Sequence, residues 1–246
     1  MARRSYIPPK KWSTTYLKDV LPTFRTIPEE QQNRLILGDT EEEDRTILFY
    51  AGDLRLLQMP AVSVIGTRKV SEDGAKRASR VARELAQAGV LVVSGLADGV
   101  DTCALESAIN AGGKVCAVIG TPLDKAYPAK NKKLQELIYK EHLLISPFEH
   151  GRRVFKANFP HRNKIMAALS DASIIVEAGP TSGTIHQAAE CIRLERELFF
   201  MKSLADAGIE WVDGFIRAED NASPLERTSQ VLDGLTFEEM ARTAFG

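Results

Sequence analysis

The chain predicts an α/β fold with a doubly wound, mostly parallel sheet. Three observations carry that expectation. Short apolar runs alternate with longer stretches of helical periodicity from residue 46 to about residue 204. The runs are apolar throughout, not every second residue, as strands covered on both faces require. Several of them end in glycine and small polar residues, the turns from which open α/β sheets hold ligands.

Taken in order, residues 1–45 form an irregular N-terminal extension. Tyr6, Trp12, Tyr16, Leu17, Val20, Leu21 and Phe24 can dock on a body, while Pro8, Pro9, Pro22 and Pro28 break up long helices. The stretch 39–44, DTEEED, is acidic at all but one position and reads as a solvated linker or surface loop. A strand over 46–50 (TILFY) ends at Gly52-Asp53, and another over 61–65 (AVSVI) ends at Gly66-Thr67-Arg68. Ala75, Ala78, Ala82, Leu85 and Ala86 then fall near helical spacing over 72–88, with Ser71 as N-cap and Gly89 as the stop. A continuous apolar strand covers 90–93, and a short helix over 102–111 ends at Gly112-Gly113. Strands over 115–119, 143–145, 173–176 and 198–201 alternate with helices over 131–140, 159–169 and 184–195. Residues 205–246 leave the alternation and read as a C-terminal tail with one short helix, over 237–244.

Composition narrows the function. With 246 residues, 44% of them hydrophobic, the chain can bury a full core. A formal charge of −1 excludes a protein that coats nucleic acid through bulk charge, so any such contact is local. Cys103, Cys116 and Cys191 are far apart, show no CxxC spacing and read as small core residues in a reducing cytoplasm. No apolar run is long enough for a membrane span and no signal-peptide core follows Met1, so a cytoplasmic protein without membrane contact is expected.

The local basic patch is residues 152–164, RRVFKANFPHRNK. It holds five Lys/Arg, two Phe and no acid in thirteen positions. Cations attract phosphates and an interleaved aromatic offers a face for an unstacked base, a pairing suited to single-stranded nucleic acid. The plain alternative is a solvated basic loop. Small-residue turns supply the second element: Gly66 and Thr67 beside Arg68, Ser94 and Gly95, Gly120 and Thr121, then Ser182, Gly183 and Thr184 opening a helix. Their amides and hydroxyls make a phosphate-friendly rim, or the glycines merely permit tight βα turns. Neither GxGxxG nor GxxxxGK[ST] occurs.

Other chemistry is sparse. Asp98 and Asp101 are an acid pair or, for Asp101, an N-cap. Glu177 is a general base or a ligand of loop amides. His142, His150, His161 and His186 lack metal-ligand spacing, and Ser94-Gly95 is no nucleophile elbow. No catalytic residue, no metal and no cofactor is expected.

Laid out in order, the loops resemble the DprA/Smf family of DNA-processing proteins over roughly 47–200. The resemblance rests on Leu48-Phe49-Tyr50-Ala51-Gly52-Asp53, Gly66-Thr67-Arg68, and Ser94-Gly95-Leu96-Ala97-Asp98-Gly99-Val100-Asp101. Gly120-Thr121-Pro122-Leu123-Asp124 with Tyr127-Pro128 and Asn131 continues it, followed by Asn158-Phe159-Pro160-His161-Arg162-Asn163-Lys164 and Glu177-Ala178 with Ser182-Gly183-Thr184. It implies an extended Rossmann-like fold that binds single-stranded DNA, forms homodimers and helps load a RecA-type recombinase. It places Arg68, Lys156, Phe159, Arg162 and Asn163 on the strand, and the basic patch itself adds Arg152, Arg153 and Lys164. The chain differs from the family pattern in its short N-terminal segment and its lack of a complete winged helix, which suggests a role on a phage, plasmid or defence island. Two further readings stand beside this one. A LOG-like nucleotide-cleaving enzyme would use the 178–184 loop with a glutamate, and an antidote would hold a toxin partner.

Overall fold

The computed structural model describes residues 5–21 and 46–235. The acidic stretch 39–44, Phe24, Pro22, Pro28 and the helix expected over 237–244 lie outside the described residues. Among the described residues nine strands form one sheet in the order β1-β2-β6-β5-β4-β3-β7-β8-β9. The strands are β1 (Ser13–Tyr16), β2 (Ile47–Gly52), β3 (Ala61–Ile65), β4 (Leu91–Ser94), β5 (Val115–Val118), β6 (Leu143–Ser146), β7 (Ala172–Ile175), β8 (Glu197–Met201) and β9 (Ala222–Leu225). From β6 to β9 every neighbouring pair is parallel, while β1 and β2 add an antiparallel edge. The doubly wound α/β expectation holds.

The helices are α1 (Leu17–Val20), α2 (Glu72–Gln87), α3 (Val100–Asn110), α4 (Lys132–Glu141), α5 (Asn158–Ala168), α6 (Thr184–Arg193), α7 (Lys202–Ala205), α8 (Glu210–Ala218) and α9 (Ser229–Gly234). Strands β3 to β7 are buried at every position, so each apolar run feeds both layers. One core joins Ile165 and Met166 of α5 and Ala188 of α6 to Val93, Val118 and Ile145 of the sheet. On the other face Ala78, Val81 and Leu85 of α2 and Ala104 and Leu105 of α3 meet Val62, Val64 and Val92. Ser71 caps α2 as expected, its Oγ accepting from the Gly74 amide at 3.0 Å, and Gly89 ends it at φ 78°.

Two terminal expectations are corrected. Residues 205–235 are not a tail outside the alternation: α8 packs on the sheet through Val212, and β9 pairs in parallel with β8. Pro224 and the brevity of ASPL hid that edge strand from pattern reading. The N-terminal extension likewise is not wholly irregular, since Ser13–Tyr16 lies along β2 and Leu17 and Val20 enter the core.

The architecture sets one special position. Chain order runs outward from β3 through β4, β5 and β6 to one side, then returns through α5 to β7 on the other side of β3. The carboxyl ends of β3 and β7 therefore flank the switch point, where the connections diverge and leave a crevice.

Candidate nucleic-acid interface

A cleft of about 340 Å³ occupies that crevice. It is bounded by the Gly66-Thr67-Arg68 turn after β3, by Phe159, Arg162 and Asn163 of α5, and by Ser182, Gly183 and Thr184 at the start of α6. Thus the basic segment and two of the glycine-rich turns, far apart in sequence, share one site. The turn after β3 is held from below: the Thr67 amide donates to the Glu177 carbonyl at 2.7 Å, and Val100 N donates to the Thr67 carbonyl at 3.2 Å. Gly99, at φ 75°, lies so close that a Cβ there would sit 2.3 Å from the Thr67 carbonyl oxygen. Only glycine permits that approach.

Arg68 projects from this turn and is exposed. Among the described residues no carboxylate lies within salt-bridge distance of it; the nearby Asp98 pairs instead with Lys130 at 2.9 Å. Its guanidinium carbon sits 5.2 Å from the centre of the Phe159 ring, a cation–π contact. Phe159 is half-buried, rests against Gly120 and lies 5.5 Å from the Tyr127 ring. A Cβ on Gly120 would come within 2.6 Å of the Phe159 ring, so the glycine makes the seat for the aromatic. Arginine, aromatic and hydroxyl-bearing loop together can hold a phosphate bidentately and cover a base.

Arg162 behaves differently from Arg68. It is buried at 5% exposure, and its Nη1 donates to the carbonyls of Gly95 and, at 2.7 Å, of Val118. Its Nε donates to Asn163 Oδ1 at 3.0 Å. Burial pulls its pKa down to about 10, against the favourable charge of Asp101. Arg162 therefore braces the ends of β4 and β5 and forms the floor of the cleft, in place of the open strand contact expected of it. Asp101 is fully enclosed beside it and accepts from the Ala97 amide at 3.3 Å. Burial pushes its carboxyl up, opposed by Arg162. Asp101 is not the N-cap expected of it, a position occupied by Gly99.

The remaining candidates separate. Ser94 is fully buried and its hydroxyl donates to the Val64 carbonyl at 2.7 Å, while Thr121 Oγ1 donates to the Lys125 carbonyl at 3.0 Å. Both hydroxyls, expected on the rim, hold loops together. Ser182 Oγ accepts from the Thr184 amide at 3.3 Å and stays beside the cleft. Lys156, Arg152 and Arg153 are exposed on the loop that leads into α5, and Lys164 is half-buried; none of the four lines the cleft. Arg152 and Arg153 instead lie over Phe148 and Phe155, at 5.8 and 5.5 Å.

Glu177 resolves in favour of loop amides. Its carboxylate accepts from the Ser71 amide at 3.0 Å and from the Ser71 hydroxyl at 2.5 Å, with Arg77 at 3.7 Å. Those bonds tie the end of β7 to the start of α2 and engage the Glu177 carboxylate there. Among the described residues no group of His, Cys, Asp and Glu is arranged to hold a metal. No described helix is long and apolar enough to cross a membrane.

Sequence reasoning passed over Asn131 and Tyr127 as site-building residues. Asn131 Nδ2 donates to the Leu96 carbonyl at 3.0 Å and to Thr102 Oγ1 at 2.7 Å, locking the loop after β4. Tyr127 is an exposed aromatic at the mouth, and the adjacent Pro128 was the available signal for a fixed turn.

Known proteins with this architecture include DNA processing protein A from Streptococcus pneumoniae, whose crystal structure superposes with a TM-score of 0.74 at 33% identity. That match covers 91% of this chain and 74% of that one. The corresponding protein from Helicobacter pylori, in a structure describing its single-stranded DNA binding mode, gives a TM-score of 0.72 at 26% identity, covering 93% and 97%. In sequence, the Streptococcus pneumoniae DNA processing protein DprA is 42% identical over 153 residues, 62% of this chain and 54% of that protein. The chain spans about half the length of the curated relatives it matches. Residues 29–235 match the family described as DNA recombination-mediator protein A, and with the switch-point cleft and its ordered loops this shows that the chain belongs to that family.

Proposed function

We propose that this chain binds single-stranded DNA in the switch-point cleft and acts as a binding protein, without catalysis. The carrying observation is Arg68, an exposed guanidinium without a salt-bridged carboxylate among the described residues, poised over a half-exposed aromatic at the carboxyl end of β3. A bidentate phosphate contact beside a stacking surface suits a strand whose bases are unpaired. The Helicobacter pylori relative, whose structure concerns single-stranded DNA, supports the choice of ligand. In this reading the chain protects single strands, hands them to a RecA-type recombinase and works as a homodimer; those roles rest on family membership. The engagement of Glu177 by Ser71 weighs against nucleotide cleavage.

Fluorescence anisotropy with labelled single strand, duplex and mononucleotide across a salt series tests the reading. Single strand should bind most tightly and weaken steeply with salt, by counterion release. Equal affinity for duplex would remove the role of stacking. Tight binding of the mononucleotide alone would make the cleft a nucleotide site.

A further inference from the structure

A second, larger hollow lies beyond Tyr127. It has a volume of about 710 Å³ and is walled by Tyr6, Tyr127, Val154, Lys125 and Lys132. A small pocket of about 20 Å³ shares Arg68, Phe159 and Arg162 with the switch-point cleft and Tyr127 with this hollow. Tyr127 borders both the small pocket and the hollow, so shared residues link the three spaces. From these observations we infer that the hollow is a second subsite of the same interface, taking the continuation of a single strand whose first nucleotides occupy the cleft. The inference rests on the single-strand reading above and extends it.

Three features suit the hollow to a nucleic acid strand. Its wall is firm: Tyr6 Oη donates to the Leu123 carbonyl at 2.9 Å and accepts from Gln135 Nε2 at 2.8 Å, and the Ile7 amide donates to Glu136 at 2.9 Å. A pre-formed wall spares a ligand the entropy of ordering it. Its aromatic surface is open, since Tyr127 is 50% exposed and Phe155 of the adjoining loop 51%. Solvent-exposed rings beside cations are the stacking platforms of single-strand binding.

Its charge is complementary as well. Lys132 sits half-buried at the first turn of α4, and Lys125 Nζ donates to the Arg152 carbonyl at 2.7 Å, drawing the basic loop to the rim. Asp124 is the one acid of the lining, and it is engaged by the Gly151 amide at 3.2 Å. Val154 of the same loop lines the hollow, so the basic segment that misses the cleft adjoins it.

The test compares a short oligothymidylate of about four nucleotides with one of about sixteen, the span of single-strand sites. The protein is used as the wild type, Lys132→Glu and Ala129→Glu; both substitutions place an acid at the hollow and neither removes a contact of the cleft. Each variant should bind the long oligomer about tenfold more weakly, with a smaller salt slope, and the short one as the wild type does. Equal loss on both lengths, or no loss on either, would overturn the second subsite. An Arg68→Lys control that loses affinity on both lengths would show the first reading intact in that event. A wild type that binds neither oligomer would end both.

Discussion

Two arginines with similar sequence credentials divide into opposite roles. Arg68 and Arg162 both lie in motifs that pointed to DNA, and both border the cleft. Exposure and partners separate them: one reaches solvent over Phe159, the other is committed to two backbone carbonyls beside a buried aspartate. Replacing Arg162 with Met should cost about 3 kcal/mol or more, because Asp101 would be left buried without its nearest positive charge. Urea denaturation checks this; unchanged stability would show that the arginine is held for its ligand. Residue type was legible in the sequence and residue role was not, since burial depends on where α5 is laid. The same holds for Ser94 and Thr121, whose hydroxyls read as rim donors until the strands packed around them.

Helix and strand ends divide into those set by local sequence and those set by distant partners. Periodicity and glycine stops located α2, the β3 strand and the turns because local chemistry decides them. The link between α2 and β7 was not legible: Ser71 and Glu177 are 106 positions apart and meet only in the fold. That carboxylate caps the N-terminus of α2 a second time and lies along its dipole. It also explains Gly74, where a Cβ would lie 2.0 Å from Glu177 Oε2. Glu177→Ala should lower stability by about 1 kcal/mol, in the range of a lost cap, while leaving short-strand affinity within about twofold. A collapse of binding without loss of stability would return Glu177 to the site. The edge strands β1 and β9 escaped notice for a related reason. Each is four residues long and is not apolar throughout, so only pairing with β2 and β8 defines them.

Across the whole molecule, one topological choice places the chemistry. The return through α5 from β6 to β7 carries the basic segment across the sheet and sets its first turn against the loops after β3 and β7. A chain of formal charge −1 can then present a cationic surface at one edge without becoming basic throughout. The alternation of elements disclosed the sheet, and the motif order disclosed the family. The hollow past Tyr127 was not legible, because it depends on how an N-terminal segment folds back onto α4, more than a hundred residues along the chain.

The most direct test of the account is the salt-dependent single-strand affinity of Arg68→Lys, measured with its melting temperature. Lysine keeps the charge and loses the planar fork, so it cannot reproduce a bidentate phosphate contact. The account predicts an unchanged melting temperature and affinity weakened by about tenfold, roughly 1.4 kcal/mol. Wild-type affinity in the lysine variant, or a large fall in melting temperature, would mean that Arg68 supports the loop and that the strand is held elsewhere.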